Sequence, residues 1–213
     1  MKTAIISCSL GGFDNSHPWE EQTAEVFRFN ESNWNTRTTI GPSVQCKVPK
    51  FFGWDMAKGF DTYIWTDGCY QFLKGASDYM VEQLGDNDIV VFPHPYGRTS
   101  IREEWQWIKD NMHKSYIKSR YARELGDEQY RVIEEDKEYV DDLLLHTAIL
   151  AYKNNEKTRA MLKEVWYNVS RFHTNDQLCF SYVMRKSGCK YKVMDKIITD
   201  VPFWKYHRHL KGN

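Results

Sequence analysis

The chain has 213 residues, enough for one substantial hydrophobic core or two small ones. Aromatic residues make up 15% and charged residues 27%, which is typical of a folded protein and excludes a disordered one. Lys plus Arg and Asp plus Glu both number 29, so the net charge of zero provides no general attraction to nucleic acid or an anionic membrane, and any phosphate binding must be local.

Targeting signals and cysteine usage indicate where the chain resides. The first apolar run ends at Gly11-Gly12 and is too short for a signal peptide, and no other stretch is long and apolar enough for a membrane span. An odd number of cysteines with no zinc-site spacing indicates reduced thiols. They are Cys8, Cys46, Cys69, Cys179 and Cys189. We therefore expect a cytoplasmic protein.

The first half of the chain alternates strand-forming runs with turns and helices. It predicts strands at 3–10, 25–29, 63–67 and 88–92, a partly helical segment at 47–60 and a helix over 70–84. The loop at 11–15 begins with two glycines, which let a ligand approach the backbone closely. It is a weak phosphate signal, because it has neither the spacing of a dinucleotide fold nor the lysine of a P-loop.

The central strand ends in a carboxylate followed by a glycine. Tyr63, Ile64 and Trp65 are β-forming residues in an apolar run, and Asp67-Gly68 is a turn-favouring pair that stops it. Open α/β sheets bind ligands at the carboxyl ends of their strands, and a hard divalent cation needs oxygen ligands. Asp67 is a candidate metal ligand, although the same order of residues also makes an ordinary polar turn.

The second half is predicted to be richer in helix. Ser100 can cap the next helix, with Glu103 completing a capping box. The charge-rich segment 115–142 predicts one or two solvated helices without chemistry, and the apolar segment 143–152 fits either a helix or a buried strand. Amphipathic helices at 157–170 and 177–186 precede a strand at 191–194 and a basic, aromatic tail. The order of elements predicts the α/β class with a mostly parallel sheet.

Three further positions could carry chemistry. Arg98 could clamp an anion and His94 could donate to a phosphate, or His94 could simply stabilise a turn. Asp176 precedes the helix at 177, where it is either a site residue or an N-cap. His207 and His209 point the same way if the tail is a strand, yet a terminal histidine is usually a surface residue.

In their order along the chain, these motifs resemble the GT-A nucleotide-sugar glycosyltransferases. The similarity rests on Tyr63-Ile64-Trp65-Thr66-Asp67-Gly68, on Phe92-Pro93-His94 with Arg98, Glu103 and Glu104, and on Trp166 followed by Asp176-Gln177-Leu178. Within that family, the chain resembles glycosyltransferase-like domains of formerly unknown function. These domains have an Ile-Trp-Leu-Asp strand end and a later Arg-Asp-Gln-Leu-Ser-Phe. The chain as a whole also resembles the N-terminal glycosyltransferase domain of a large chlorella-virus multi-domain protein.

The resemblance implies a GT-A fold with a single, mostly parallel central sheet flanked by helices. It implies one domain over 1–213, with a nucleotide-binding half at 1–100 and an acceptor and sugar half at 101–213 that includes a metal-binding tail. The implied reaction transfers a sugar from a UDP-sugar, such as UDP-glucose or UDP-rhamnose, to a glycan or glycoprotein acceptor with Mn²⁺ or Mg²⁺. The implied context is viral capsid glycosylation, without nucleic acid or a membrane span.

The same resemblance assigns roles to individual residues. The catalytic candidates are Asp176, Gln177 and Glu104, with Asp176 preferred as general base. The donor-binding candidates are Ser7, Leu10, Gly11, Gly12, Lys58, Trp65, Thr66, His94 and Arg98. The metal candidates are Asp67, His207 and His209, with His207 preferred of the two histidines.

The chain departs from the family pattern at the metal motif. GT-A enzymes usually have Asp-x-Asp at the end of this strand, but here Trp65 or Cys69 occupies the position of the other aspartate. Only Asp67 is certain, which is why a histidine from the tail is expected to complete the site.

Two other functions remain open at the sequence level. One is a nucleotidyltransferase that makes a sugar nucleotide, although the Gly11-Gly12 loop lacks the basic residues usual in that class. The other is a non-catalytic module that binds glycan or protein, since the many Trp and Tyr residues suit sugar stacking.

Overall fold

The computed structural model describes residues 1–14 and 17–210, and its elements within those ranges form a mixed α/β fold. The strands are β1 (Thr3–Cys8), β2 (Glu25–Phe29), β3 (Thr62–Asp67), β4 (Tyr70–Phe72), β5 (Ile89–Pro93), β6 (Leu145–Lys153), β7 (Tyr191–Val193) and β8 (Trp204–Tyr206). The helices are α1 (Pro42–Gln45), α2 (Lys47–Met56), α3 (Ala76–Leu84), α4 (Ile101–Asp110), α5 (Ser115–Tyr121), α6 (Gly126–Glu135), α7 (Glu156–Arg171) and α8 (Gln177–Lys186), with a 3₁₀ turn at Ile198–Asp200.

Six strands form the central sheet in the order β2-β1-β3-β6-β5-β7. Neighbouring strands are parallel, except that β6 runs antiparallel to both β3 and β5. Strands β4 and β8 make a separate antiparallel ribbon. The prediction of an α/β fold with a mostly parallel central sheet flanked by helices is confirmed.

Both faces of the sheet are covered, which explains why the first and third strands are apolar almost throughout. Side chains alternate along a strand, so Ile6 and Trp65 pack in one core while Ile5 and Ile64 pack in the other. The first core lies under α2, α7 and α8, and the second lies under α3 and the β4–β8 ribbon. This packing fixes the carboxyl ends of β1 and β3 side by side, with Cys8 opposite Asp67.

Several elements of the structure differ in type or in bounds from those predicted. The helix expected over 70–84 begins only at Ala76, because Tyr70 and Phe72 pair with the tail residues Tyr206 and Trp204. The strand predicted at 191–194 is β7, and the tail that was not predicted as a strand contributes β8. The ambiguous segment 143–152 is the buried strand β6, since a helix there would leave β3 and β5 without their shared neighbour.

Other expectations are confirmed. Ser100 and Glu103 form the predicted capping box at the start of α4. The charge-rich segment does contain two helices, α5 and α6, but they are not merely solvated, because they pack a small apolar core against α4. The five cysteines are free thiols. Among residues 1–14 and 17–210, no helix is long and apolar enough to cross a membrane. The last residue of the predicted loop at 11–15, Asn15, lies outside the described residues. Residues 211–213, at the end of the predicted domain, also lie outside them.

The packing of α4 on α6 depends on a glycine. A Cβ atom added to Gly126 would lie 2.5 Å from two carbons of the Trp105 ring. The ring is 6% exposed, and its Nε1 donates a hydrogen bond of 2.7 Å to Asp127, so it has little freedom to move aside. Gly126→Ala should therefore lower the unfolding free energy by about 1–3 kcal/mol, measured by urea denaturation.

Gly41→Ala is the matched control for that measurement. Its added Cβ atom would meet Ser43 Oγ at 4.0 Å, an ordinary contact, so a loss of only a few tenths of a kcal/mol up to about 1 is expected at this helix start. Equal losses in the two variants would contradict the packing argument.

Candidate active site

A cavity of about 290 Å³ opens at the carboxyl ends of β1 and β3. Five segments that are distant in sequence assemble it: the loop after β1, the α1–α2 region, the end of β3, helix α5 and the tail. Its apolar walls include Leu10, Pro42 and Trp65. Its lining includes the charged side chains of Asp14, Lys47, Asp67 and Arg120 and the imidazole of His209. Ligands of open α/β sheets bind at this edge, as the sequence predicted for Asp67.

Asp14, Cys69 and His209 form a compact cluster in this region. One ligand atom from each lies within 4.8 Å of the other two, and Asp14 Oδ1 is hydrogen-bonded to His209 Nδ1. Pairing of the tail strand β8 with β4 brings the histidine here. The backbone N–H of His207 then donates to the Cys69 carbonyl at 2.8 Å, and that of Leu210 donates to the Phe13 carbonyl at 2.9 Å.

Gly68 leaves the space that Asp14 occupies. A Cβ atom at this position would lie 2.7 Å from Asp14 Oδ2 and 3.1 Å from Ser9 Cβ, and both distances are shorter than ordinary contacts. The glycine after Asp67 thus does more than end a strand. It allows a carboxylate from the β1 loop to approach the end of β3, where the second aspartate of the family motif is lacking.

The chemistry of these side chains fits a hard divalent cation. A carboxylate oxygen and an imidazole nitrogen are suitable ligands for Mn²⁺, and Mg²⁺ prefers oxygen. Burial raises the pKa of the Cys69 thiol well above its ordinary value, so Asp14 and His209 are better donors than the protonated sulfur. Asp67 lines the same cavity with a side chain 38% exposed, and its Oδ1 accepts a hydrogen bond of 2.8 Å from Trp65 Nε1.

Behind the cavity, Asp176 is held by two lysines. Lys47 Nζ lies 2.7 Å from its Oδ1, and Lys50 Nζ lies 2.6 Å from its Oδ2. The Thr147 hydroxyl donates to the same Oδ2 at 3.0 Å. Burial would raise the pKa of Asp176, but Lys47 and Lys50 outweigh it and hold that pKa below its ordinary value.

The two lysines respond differently to this environment. Burial lowers the pKa of Lys50, whose side chain is 1% exposed, and Asp176 only partly restores it. Burial also opposes the charge of Lys47, but there Asp176 and Asp67 prevail and the pKa is raised. Lys47 is therefore the member of the cluster that keeps a firm positive charge and also lines the cavity.

These contacts change the interpretation of Asp176. Its backbone is already helical, and its side chain does not cap α8; Asn175 Oδ1 accepts from the Gln177 N–H instead, at 3.3 Å. A carboxylate that is 2% exposed, engaged at both oxygens and low in pKa is a poor proton acceptor. The prediction of a side-chain N-cap is therefore corrected, and the two ion pairs favour a buried counter-ion over the general base, which stays a prediction.

A second buried cluster accounts for three other predicted residues. Arg98 Nε lies 2.5 Å from Glu104 Oε2, and His94 Nε2 lies 3.8 Å from the same oxygen. Burial first, and Arg98 second, lowers the pKa of His94 to about 3, so this imidazole is neutral at physiological pH. Glu104 Oε1 also accepts from Asn175 Nδ2 at 3.3 Å. Both oxygens of Glu104 are therefore engaged by protein side chains, and Arg98 is held within the protein instead of forming an open anion clamp.

Five of the remaining predicted residues line one of two adjoining cavities. Leu10, Gly11 and Trp65 line the cavity, and Gly12 and Ser7 line an adjoining cavity of about 210 Å³. Gly11 donates its N–H to Glu31. Thr66 is buried within β3, and Gln177 is half-buried at the start of α8.

Two predicted residues lie elsewhere. Lys58 is 78% exposed and pairs with Asp55 beside the N-terminal ends of β1 and β3, so it is excluded from the cavity. His207 stacks on His17 with ring centroids 3.5 Å apart and contacts Gln71. Of the two tail histidines, the structure places His209 in the lining of the cavity, and metal binding by either histidine stays a prediction.

The sequence did not predict Asp14, Cys69, Lys47 or Arg120 as residues of the site. Asp14 was available as a carboxylate in the glycine loop, and Cys69 as the residue two positions after Asp67. Lys47 and Arg120 had no recognisable signal, since one lies in a mixed segment and the other in the charge-rich stretch to which no chemistry was assigned.

No protein-family model matches the sequence, and neither does any curated protein. Solved structures do show similarity. A glycosyltransferase involved in glycosylation of the major capsid of PBCV-1 is 9% identical, with 92% of this chain and 82% of that chain covered and a TM-score of 0.48. Mouse xyloside xylosyltransferase 1 is 9% identical, with 81% and 63% covered and a TM-score of 0.41.

The third similar structure is 4-diphosphocytidyl-2C-methyl-D-erythritol synthase from Anaerococcus prevotii. It is 12% identical, with 94% of this chain and 91% of that chain covered and a TM-score of 0.45. All three identities are 12% or lower and all three TM-scores are below 0.5, so these similarities assign neither a family nor a function to this chain.

Proposed function

We propose that this protein is a metal-dependent glycosyltransferase that transfers a sugar from a UDP-sugar to a glycan acceptor. The observation that supports it best is the composition of the cavity at the ends of β1 and β3. Carboxylates and a histidine for a cation, two fixed positive charges and apolar walls all line one space of about 290 Å³. A nucleoside diphosphate bound to a divalent cation requires that combination.

Each part of the donor has a counterpart in this cavity. Leu10, Pro42 and Trp65 offer apolar surface for the nucleoside. Lys47 and Arg120 are positioned to balance the charge of the diphosphate. Lys47 suits this role because neighbouring carboxylates raise its pKa and thus maintain its charge.

Asp14 and His209 would hold the cation, with Asp67 facing it from the end of β3. A bound Mn²⁺ or Mg²⁺ would supply Lewis-acid stabilisation of the departing diphosphate. Asp67 remains a proposed ligand, and Asp14 replaces the second carboxylate of the family motif. Cys69 lies beside them but carries a proton that would have to leave before it could bind metal.

In the transfer, the bond between the anomeric carbon and the diphosphate oxygen breaks, and that oxygen keeps the electron pair. A bond forms between the anomeric carbon and an acceptor hydroxyl oxygen, which gives up its proton. The carboxylates of Asp176 and Glu104 are both paired with cationic side chains of the protein, so neither is assigned as the acceptor of that proton. We assign it to the leaving diphosphate, which corresponds to transfer with retention of configuration.

The test is donor hydrolysis and transfer with a panel of UDP-sugars that includes UDP-glucose and UDP-rhamnose. We expect UDP release that requires Mn²⁺ or Mg²⁺ and stops with EDTA, and a raised melting temperature when UDP and metal are added together. Formation of a sugar nucleotide from a sugar phosphate and UTP, with pyrophosphate released, would identify a nucleotidyltransferase instead. Glycan binding without any turnover would identify a non-catalytic module.

The wider biological setting is also part of the proposal. A sugar-transfer step in viral capsid glycosylation, in the host cytoplasm, follows from the sequence resemblance alone. Transfer to a deglycosylated capsid protein is the corresponding assay, and failure there with success on free glycans would restrict the acceptor class.

A further inference from the structure

Exposed aromatic side chains lead away from the candidate active site. Tyr206 is 52% exposed, Tyr96 is 75% exposed and Trp107 is 36% exposed. We call these three residues the aromatic strip. The ring of Tyr206 lies 6.4 Å from that of His209, centroid to centroid, so the inner end of the strip is at the cavity. Exposed patches of large aromatic side chains commonly mark binding surfaces.

The strip continues from Tyr206 to Tyr96. Strands β3 and β5 both run antiparallel to β6, so their carboxyl ends lie at the same edge of the sheet. Tyr96 follows the carboxyl end of β5, and its ring lies 5.5 Å from that of His94. The tail strand β8 and the loop after β5 therefore present their tyrosines to the same region.

Arg98 connects Tyr96 to Trp107. Its guanidinium carbon lies 5.8 Å from the Tyr96 ring centroid and 4.6 Å from that of Trp107. Glu104 holds Arg98 in turn, through the contact of 2.5 Å described above. The two outer rings of the strip are thereby positioned before any ligand arrives, which reduces the entropy lost on binding.

A groove of about 530 Å³ runs beside the outer half of the strip, along α4. Its charged lining is balanced: Arg98 and Arg102 oppose Glu103 and Asp110. Gln106 adds an amide, which donates to Asp110 at 2.8 Å. Equal numbers of cations and carboxylates favour an uncharged ligand over a nucleic acid or an acidic peptide.

We propose that the aromatic strip and its groove bind a neutral oligosaccharide acceptor, with the sugar to be extended at Tyr206 and further sugars over Tyr96 and Trp107. This inference rests on the proposed function and specifies its acceptor site. The C–H face of a pyranose ring is apolar and packs on an aromatic ring, while its hydroxyls donate to carboxylates and accept from amide and guanidinium N–H groups. The strip supplies the rings, and the groove supplies both kinds of polar group.

The experiment measures binding without any nucleotide sugar. The wild-type chain is applied to an array of microbial and plant oligosaccharides, and the best binder is titrated by saturation-transfer NMR against Tyr96→Ala, Trp107→Ala and Tyr96→Phe. Each alanine variant should weaken binding about three- to tenfold, whereas Tyr96→Phe keeps the ring and should bind nearly as wild type. Tyr191→Ala is the matched control, because Tyr191 is a similarly exposed aromatic residue paired with Ile89, at the opposite end of β5.

The outcomes separate this inference from the proposed function. Oligosaccharide binding that depends on Tyr96 and Trp107 supports the strip even if the wild-type chain hydrolyses no UDP-sugar, in which case only the transferase proposal fails. Binding that is unaffected by either alanine variant, or lost equally in Tyr191→Ala, would overturn the inference. So would an array that shows no glycan binding, or transfer to a protein acceptor alone.

Discussion

Asp176→Asn should lower the unfolding free energy by about 3–5 kcal/mol, the usual cost of breaking a buried ion pair by removing one partner. The variant leaves Lys50, whose side chain is 1% exposed, beside a neutral amide in place of a carboxylate 2.6 Å away. An ordinary N-cap would behave differently, since asparagine caps a helix as well as aspartate does. Urea denaturation at pH 7 therefore distinguishes a counter-ion from a cap.

The pH dependence gives an independent check of the same assignment. The pKa of Asp176 is lower in the folded chain than in the unfolded one, where it lies near its ordinary value of 3.8. Its contribution to stability is therefore complete above about pH 4 and is lost as the pH falls through the lower folded-state pKa. The stability difference between wild type and Asp176→Asn should be constant from pH 5 to 7 and should shrink below about pH 4.

Two further variants serve as controls. In Lys50→Met/Asp176→Asn the buried charge and its partner are both removed, so the double variant should lose less stability than the sum of the single losses. Asp142→Asn breaks the exposed pair with Arg185 and should cost less than about 1 kcal/mol. A loss of that small size for Asp176→Asn would show that the buried cluster contributes little.

Asp14→Asn and His209→Ala should each reduce metal-dependent donor turnover by about 100-fold or more. Both side chains belong to the cluster whose ligand atoms lie within 4.8 Å of one another. Each substitution therefore removes one of the two donors proposed for the cation. Mn²⁺ affinity, measured by calorimetry in the presence of UDP, should fall in parallel. Circular dichroism should show the native fold in both variants, because Asp14 and His209 both lie outside the helices and strands.

His207→Ala is the matched control for the metal prediction. It removes a histidine two positions away in the same tail, but one that stacks on His17 outside the cavity. Turnover and Mn²⁺ affinity should remain close to those of wild type. If His207→Ala were as impaired as His209→Ala, the tail would act as a whole and the assignment to His209 would be incorrect.

Local patterns predicted much of the framework. The apolar runs identified β1, β2, β3 and β5 to within two residues or so, and the capping box at Ser100 fixed the start of α4. These features depend on neighbours in sequence, through side-chain alternation and hydrogen bonds within one turn. The same patterns identified the carboxyl end of β3 as a site, because Asp67-Gly68 must follow the strand wherever that strand is placed in the sheet.

Elements that depend on a distant partner were not predictable in this way. Residues 70–72 have a helical composition but are β4, because β8 pairs with them from more than a hundred residues later in the chain. Segment 143–152 has no preference of its own and became β6 by filling the position between β3 and β5. In both cases backbone hydrogen bonding to another segment overrode local propensity.

The sequence by itself determined the α/β class, the strand that ends at Asp67 and the candidates His209 and Asp176. Only the tertiary structure decided that Asp14 fills the space above Gly68 beside His209, that His207 stacks on His17, and that Asp176 pairs with two lysines. Strand and helix patterns repeat over a few residues and can be recognised locally. An ion pair instead forms with any opposite charge that the fold brings within about 3–4 Å, however distant in sequence. For Asp176 those partners are Lys47 and Lys50, on a helix 126 or more residues earlier in the chain.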